Sequence, residues 1–191
     1  MRAWIATFFV TALSTIDLTH SPIEALARER MRALLEEPRC FYRDCFPGHF
    51  TGSALVVNHD GSRALLNHHR FLDKWLQFGG HCDGVEDVLQ VAQREAEEES
   101  GISGLIVASA KPFDLDIHPI PENPKKGEPP HEHYDIRFVL IAPRDAQFQI
   151  SEESKALRWF TVEEALGLGL DESMQRLIRK WQTLRDHRGQ A

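Results

Sequence analysis

Residues 85–101 carry the signal that most constrains how this chain folds. Apolar residues recur there at the i, i+3, i+4, i+7 and i+11 positions of one helical face, namely Val85, Val88, Leu89, Ala92 and Ala96. This period predicts an amphipathic helix with one buried side, and Gly101 predicts where the helix ends. The rest of the chain must supply elements that cover the apolar face.

Short β-rich runs lie on both sides of this helix. Ser53–Val57 and Ala64–Leu66 flank a turn cluster, Asn58–Gly61, which is typical of a β-hairpin. Further strands are predicted at 105–108, 113–117, 134–142 and 157–160, with closing helices at 163–168 and 173–185. Pro119–Pro130 contains five prolines, which predicts a surface loop that could act as a lid. These elements indicate an α/β (α+β) chain.

Another helix is predicted near the N-terminus. Ser21, Pro22 and Glu24 supply an N-cap, a proline in the first turn and the glutamate of a capping box. No helix breaker follows until Pro38, so we expect about four helical turns. Residues 2–14 resemble a very short secretory signal, although a packed helix or strand is the simpler interpretation.

The charge distribution excludes one class of partner. The chain has 191 residues and a formal charge of −7, and residues 83–99 hold seven acidic side chains against a single basic one, Arg94. Nucleic acids are bound through clusters of Lys and Arg, so we expect no nucleic-acid polymer as a partner. A stretch this acidic indicates a bound cation instead.

Cysteines and apolar runs bear on the cellular location. The three cysteines include no CxxC pair, which fits a reducing cytoplasm better than a disulfide framework or a zinc knuckle. The N-terminal apolar run is too short to span a bilayer, so we expect no membrane partner. We therefore predict a cytoplasmic protein.

Three glutamates of the predicted helix point to a metal site. Glu95, Glu98 and Glu99 lie at i, i+3 and i+4, within an arc of about 100° on the helix surface. Like charges at these spacings cost a helix about 0.2–0.5 kcal/mol per pair, and a divalent cation removes that cost. Carboxylates are the ligands that Mg²⁺ or Mn²⁺ prefers. A solvated acidic face is the alternative.

A longer pattern surrounds these glutamates. Gly80 is followed after five residues by Glu86, and after seven more by the run REAEEESGI at 94–102. This spacing resembles the box of the Nudix hydrolase family, with every fixed position filled. The resemblance implies a Nudix fold, a mixed β-sheet sandwiched between α-helices, over residues 46–191. Residues 1–45 would then be an N-terminal helical extension.

The resemblance also implies roles for the box residues. Glu95, Glu98 and Glu99 would hold the metal, with the Gly79 carbonyl as a further ligand. Glu98 or Glu95 would take the proton from the attacking water. The remaining members would be structural, with Glu86 and Arg94 as an orienting ion pair and Gly80 and Gly101 as turn glycines.

A polar alternation marks the strand predicted at 134–142. His131, His133, Asp135 and Arg137 point to one side of it and are candidates to line a substrate pocket. Arg137 could bind a substrate phosphate or pair with Asp135 or Glu153. A separate zinc site built on the two histidines would need a third ligand, for which His118 is the candidate. The run 68–81 together with 133–138 resembles a bacterial Nudix subgroup of unassigned substrate.

The predicted function is metal-dependent hydrolysis of a phosphoanhydride in a nucleotide or nucleoside diphosphate derivative. Glu153, before the last predicted strand, is a further candidate for the substrate site. The partner would be a small diphosphate molecule, and a homodimer is an open possibility. One alternative is a module that senses a nucleotide or sugar phosphate without turnover. Another is an enzyme like isopentenyl diphosphate isomerase, which would use Cys82.

Overall fold

The computed structural model describes residues 21–124 and 127–188. Its helices are α1 (Pro22–Leu34), α2 (Val88–Ser100), α3 (Val162–Leu166) and α4 (Glu172–Arg188). Its strands are β1 (Gly48–Val57), β2 (Ala64–His69), β3 (Lys74–Leu76), β4 (Phe78–His81), β5 (Ile106–Val107), β6 (Asp114–Ile120), β7 (His131–Ile141) and β8 (Ser154–Phe160). The predictions for residues 2–14 lie outside the described residues.

Hydrogen bonds join these eight strands of the described residues into one sheet. The strand order is β3-β2-β1-β7-β5, while β4, β6 and β8 pair with β1, β7 and β2. The predicted hairpin is confirmed, because β1 and β2 pair antiparallel with Val56 opposite Leu65 and Val57 opposite Ala64. The predicted class, a mixed sheet with flanking helices, is confirmed as well.

Two compact units make up the chain. Of the described residues, the first comprises 21–53, 79–92, 109–124 and 127–138, and the second comprises 54–78, 93–108 and 139–188. β1, β4, α2 and β7 each contribute residues to both units. The boundary expected between residues 45 and 46 stays a prediction.

A long hairpin of β6 and β7 dominates the first unit. The strands pair antiparallel from Asp114 opposite Arg137 to Ile120 opposite His131. Beyond them, Asn123 forms a bridge with Glu128. The described part of the predicted Pro119–Pro130 loop is therefore the end of a hairpin, because β6 continues to Ile120 and the Asn123–Glu128 bridge joins the two sides beyond it.

Helix α1 belongs to the same unit and packs on this hairpin. The Ser21 hydroxyl accepts a hydrogen bond from the Glu24 N–H, as the capping signal predicts. The Glu24 carboxylate is buried, and it accepts a hydrogen bond from the Leu115 N–H of β6. Arg30 pairs with Glu132 of β7 and donates to the Tyr134 hydroxyl at 3.0 Å. The N-terminal helix is thus tied to both strands of the hairpin.

The second unit is built around β2. β8 pairs with it on one side and β3 on the other. Phe160 of β8 is buried and packs edge-on against Trp75, with the two ring centroids 5.0 Å apart. A capping box of Thr161 and Glu164 starts α3, and Trp181 of α4 is 1% exposed. The two predicted closing helices are confirmed and cover this core.

Helix α2 confirms the predicted amphipathic helix but begins three residues later than its apolar period. Val85 donates its N–H to the Cys82 carbonyl and so forms a turn ahead of the helix. Val91, Ala92 and Ala96 are fully buried along the apolar side. No helix within the described residues is long and apolar enough to cross a membrane.

Candidate active site

The four glutamates at the C-terminal end of α2 differ in what surrounds them. Glu97 turns to the backbone, where its Oε1 accepts hydrogen bonds from the N–H groups of Gly104 at 3.0 Å and Leu105 at 3.1 Å. Glu98 is exposed, and Glu95 and Glu99 are half-buried. Glu97 therefore fixes the loop after the helix, while the three glutamates that the sequence singled out lie outside that structural role.

An ion pair holds one of the three. The Arg94 guanidinium donates to the Glu95 carboxylate, whose side chain is 19% exposed. Sequence reasoning paired Arg94 with Glu86 instead, and that pairing stays a prediction. The observed pair orients Glu95.

The turn after α2 depends on a glycine. Gly101 has a φ of 70°, and its N–H donates to the Glu97 carbonyl at 2.9 Å. A Cβ at this position would lie 2.8 Å from the Gln149 Cβ. The predicted role of Gly101 as a turn residue at the end of the helix is consistent with both observations.

Gly79 is required for a different reason. A Cβ there would lie 2.3 Å from the Ser53 Oγ and 2.7 Å from the Gly52 carbonyl oxygen. β4 therefore approaches β1 so closely that only glycine fits at this point. Gly80, the next residue, is half-buried in the same strand.

The predicted alternation along β7 is real and continues across neighbouring strands. Side chains on one sheet face recur at every second residue. Every second cross-strand pair between β6 and β7 therefore lies on the same face, and we call such a pair a rung. These rungs pair His118 with His133, Asp116 with Asp135, and Asp114 with Arg137. Together with Thr51 and Ser53 of β1, they form a buried polar ladder in the first unit.

Arg137 is the centre of the lower half of the ladder. It is 3% exposed and forms ion pairs with Asp114, Asp116 and Asp135 at 2.8–3.2 Å. Asp135 also accepts a hydrogen bond from the hydroxyl of Ser53 at 2.6 Å. Of the two roles considered for Arg137, the structure therefore supports pairing with Asp135. Its use as a phosphate ligand has no support from these contacts.

Five histidines form the upper half. The His49 ring lies 5.1 Å from His131, 4.9 Å from His133 and 5.3 Å from His81, measured between centroids. His118 lies 5.5 Å from His133, and its Nδ1 lies 2.9 Å from an Asp116 carboxylate oxygen. Sequence reasoning identified His131, His133 and His118 but missed His49. The alternation of His49, Thr51 and Ser53 in β1 was the available signal.

Burial keeps two of these rings neutral. Burial together with the neighbouring imidazoles lowers the pKa of His133 to about 2, and burial together with Arg43 and neighbouring imidazoles lowers that of His81 to about 4. Burial likewise lowers the pKa of His49. Neutral imidazoles carry a nitrogen lone pair, which is the form that binds metals.

The donor set of α2 fits a hard divalent cation, since it consists of carboxylate oxygens alone. Within the described residues, the one group of three ligating side chains whose ligand atoms all lie within 4.8 Å is His49, His131 and His133. The α2 carboxylates are like charges on adjacent turns and repel one another. A cation would offset their repulsion.

Glu153 and Cys82, which the sequence also suggested as functional residues, differ in their exposure to solvent. Glu153 is exposed in the loop before β8, where its carbonyl accepts the Arg70 N–H at 2.8 Å. Cys82 is 1% exposed, directly after β4. The structure gives Glu153 a solvent-facing position and Cys82 a buried one.

Comparison with known proteins identifies the family. The model of the NUDIX domain matches residues 49–181. The chain therefore belongs to the NUDIX family, and the resemblance drawn from the box is confirmed.

A curated relative matches part of the chain. A probable DHNTP pyrophosphohydrolase of Lactococcus lactis subsp. cremoris (strain MG1363) is 32% identical over 90 residues, which are 47% of this chain and 52% of the relative. The chain thus matches about half the length of this relative.

Solved structures share the fold at low identity. A C. elegans Ap4A hydrolase in a binary complex has a TM-score of 0.53 and 22% identity, covering 71% of this chain and 96% of that one. The E. coli dihydroneopterin triphosphate pyrophosphohydrolase has a TM-score of 0.50 and 20% identity, covering 69% of this chain and 92% of that one. At these identities the likeness shows the fold alone.

Proposed function

We propose that this chain hydrolyses a phosphoanhydride bond in a nucleotide or nucleoside diphosphate derivative. The observation that carries the proposal is the complete family box at residues 80–102, in whose helix Glu95, Glu98 and Glu99 are kept apart from the structural role of Glu97. Membership of the NUDIX family supports the same reaction class.

The three glutamates would hold Mg²⁺ or Mn²⁺, and the Gly79 carbonyl stays a predicted further ligand. When bound, the cation neutralises the diphosphate and stabilises the charge on the departing phosphate. An acidic helix would otherwise repel such a substrate, so we expect activity to depend fully on added metal.

We assign proton abstraction to Glu98. Its carboxylate is exposed, whereas Glu95 is held by the Arg94 guanidinium and is better suited to a fixed, orienting position. As Glu98 takes a proton from water, the water oxygen forms a bond to phosphorus and the bridging P–O bond breaks. The electron pair of that bond leaves with the departing phosphate.

A hydrolysis screen tests the proposal directly. The full chain would be incubated with Mg²⁺ and a panel of nucleoside diphosphate derivatives, with products identified by mass spectrometry. Because the related proteins are named for Ap4A and dihydroneopterin triphosphate, the panel includes both compounds. Hydrolysis in ¹⁸O-labelled water reports which phosphorus is attacked.

The expected result is metal-dependent cleavage that chelation abolishes and Mg²⁺ restores. Saturable binding of a panel compound without turnover would instead support the sensing module. We further propose a cytoplasmic location, since the three free cysteines are buried thiols. A homodimer also stays a prediction.

A further inference from the structure

We infer that His49, His131 and His133 form a binding site for a transition metal ion of the zinc class. Their ligand atoms lie within 4.8 Å of one another, on β1 and β7 of the first unit. Both the residues and the donor chemistry differ from those of the glutamates on α2. The inference therefore goes beyond the hydrolase proposal and can succeed or fail independently of it.

Two orphaned nitrogens carry this inference. His49 is 1% exposed, and its Nε2 has no hydrogen-bond partner. His133 Nε2 is also buried without a partner. Buried polar atoms are nearly always satisfied, because an unpaired one keeps the full cost of its lost hydration. A metal ion would supply the missing partner for both nitrogens at once.

Hydrogen bonds on the far side of the rings select the required tautomer. His49 Nδ1 lies 3.2 Å from the Cys45 carbonyl oxygen, and His131 Nδ1 lies 2.8 Å from the Pro129 carbonyl oxygen. A carbonyl only accepts, so each Nδ1 carries the hydrogen and each Nε2 keeps its lone pair. Ligating histidines in metalloproteins are oriented by contacts of this kind.

The donor set selects the kind of metal. Imidazole nitrogen suits zinc, copper, iron and nickel, whereas Mg²⁺ takes oxygen. A tetrahedral zinc ion with Zn–N bonds of about 2.0–2.1 Å places its nitrogens about 3.3 Å apart. Side-chain rotation must therefore draw the three rings closer together. Three protein ligands leave the fourth position for solvent or for a substrate oxygen.

The ladder below the histidines offsets the charge of a dication. Asp116 and Asp135 occupy the rung next to His118 and His133. Asp114, Asp116 and Asp135 are buried and all pair with Arg137, and one guanidinium neutralises only one of their three negative charges. His118 connects the two halves through its contact with Asp116. A bound ion of charge +2 would be balanced within the same face of the sheet.

Metal uptake by the full chain tests the site without any substrate. Metal-stripped protein would be titrated with Zn²⁺ against a chromophoric chelator, and the zinc-loaded protein examined by X-ray absorption. We expect one tight equivalent per chain, with scattering from nitrogen or oxygen neighbours, the multiple-scattering pattern of imidazole, and no contribution from sulfur. Co²⁺ substitution would give the visible bands of a low-coordinate ion, and excess Mg²⁺ would not displace the zinc.

Variants locate the bound ion. H49Q and H131Q should each weaken zinc affinity by at least about 100-fold, since even losing a group that only orients a ligand costs about 10–100-fold. H59Q is the matched control, because His59 is exposed in the turn after β1. E98Q should also leave zinc affinity unchanged, which separates this site from the proposed hydrolytic one.

Three results would overturn the inference. They are wild-type protein that takes up no zinc, sulfur scattering from thiolate ligands, and equal affinity in wild type, H49Q and H131Q. Circular dichroism establishes that each variant is folded. If a variant does not fold, the spectrum of the wild-type protein still tests the inference, because the site requires imidazole ligands and no thiolate.

Discussion

The Arg137 guanidinium donates from Nε to the Asp135 carboxylate at 2.8 Å, and both side chains are at most 3% exposed. The two residues are separated by one position on β7 and share a sheet face. Two further aspartates occupy the terminal nitrogens of Arg137. Coulombic attraction to the three aspartates raises the pKa of Arg137 despite its burial. The guanidinium is therefore a fixed cation within the first unit.

Loss of this cation should strongly destabilise the fold. R137M leaves three buried carboxylates without the guanidinium, and breaking a buried ion pair from one side typically costs about 3–5 kcal/mol. Urea denaturation measures the change in the free energy of unfolding. R158M is the control, because Arg158 pairs with Glu164 at the surface and its loss should cost about 1 kcal/mol or less. Equal losses in the two variants would contradict the structural role of Arg137.

Two adjacent glutamates on α2 should give opposite phenotypes. E98Q removes the proposed base and should lower kcat by about 100-fold or more, with little change in thermal stability. E97Q weakens the acceptor for the N–H groups of Gly104 and Leu105, so it should lower stability by about 1–2 kcal/mol. Steady-state kinetics and thermal melts on both variants separate the roles. A larger kcat loss in E97Q than in E98Q would refute the assignment.

Two glycines with the same backbone conformation should respond differently to alanine. Gly101 and Gly104 have φ values of 70° and 74°. A Cβ on Gly104 meets nothing within 4 Å, so G104A should cost only the left-handed strain of about 1–2 kcal/mol. A Cβ on Gly101 meets Gln149, so G101A should cost more. Chemical denaturation of G101A and G104A measures the difference in their free energies of unfolding. Equal losses would show that the segment around Gln149 moves aside without cost.

The thiols should be inert in the native protein. Burial raises the pKa of Cys40 to about 12, and it also raises that of Cys45. At pH 8 the reactive thiolate of Cys40 is therefore scarce. It becomes abundant only as the pH approaches the pKa of about 12. A thiol reagent such as DTNB should titrate three thiols rapidly in urea and react slowly with the folded chain. Rapid labelling of the native protein would contradict this expectation.

C82S tests the isomerase alternative. Cys82 is 1% exposed, which is unfavourable for a side chain that must reach a substrate. We expect C82S to keep wild-type hydrolysis in the substrate screen. Loss of activity in a folded C82S protein would revive the isomerase hypothesis.

Local signals predicted much of the fold. The Ser21 cap, the hairpin at Asn58–Gly61 and the apolar period of α2 each act within a few residues, so sequence reasoning reached them. The start of α2 at Val88 was missed because Val85 fits the apolar period of the helix, although it lies in the preceding turn. The strand pairing beyond Pro119 was missed because the prolines of this segment are typical of a loop.

The grouping of the three proposed zinc ligands could not be predicted from the sequence. His131 and His133 were visible as an alternating pair, but the third ring comes from His49, more than eighty residues away in the sequence. Only the pairing of strands brings these rings together. For the glutamates of α2 the opposite holds, because their spacing on a single helix is local.

The docking of α1 on the β6–β7 hairpin has a practical consequence for protein production. A fragment cut to the matched range of 49–181 would discard the Glu24 carboxylate that accepts the Leu115 N–H, and also the Arg30 side chain that contacts Tyr134. It would expose the strand surface that the helix now shields, and an uncovered apolar surface favours aggregation. Any fragment chosen for expression should therefore begin upstream of Ser21.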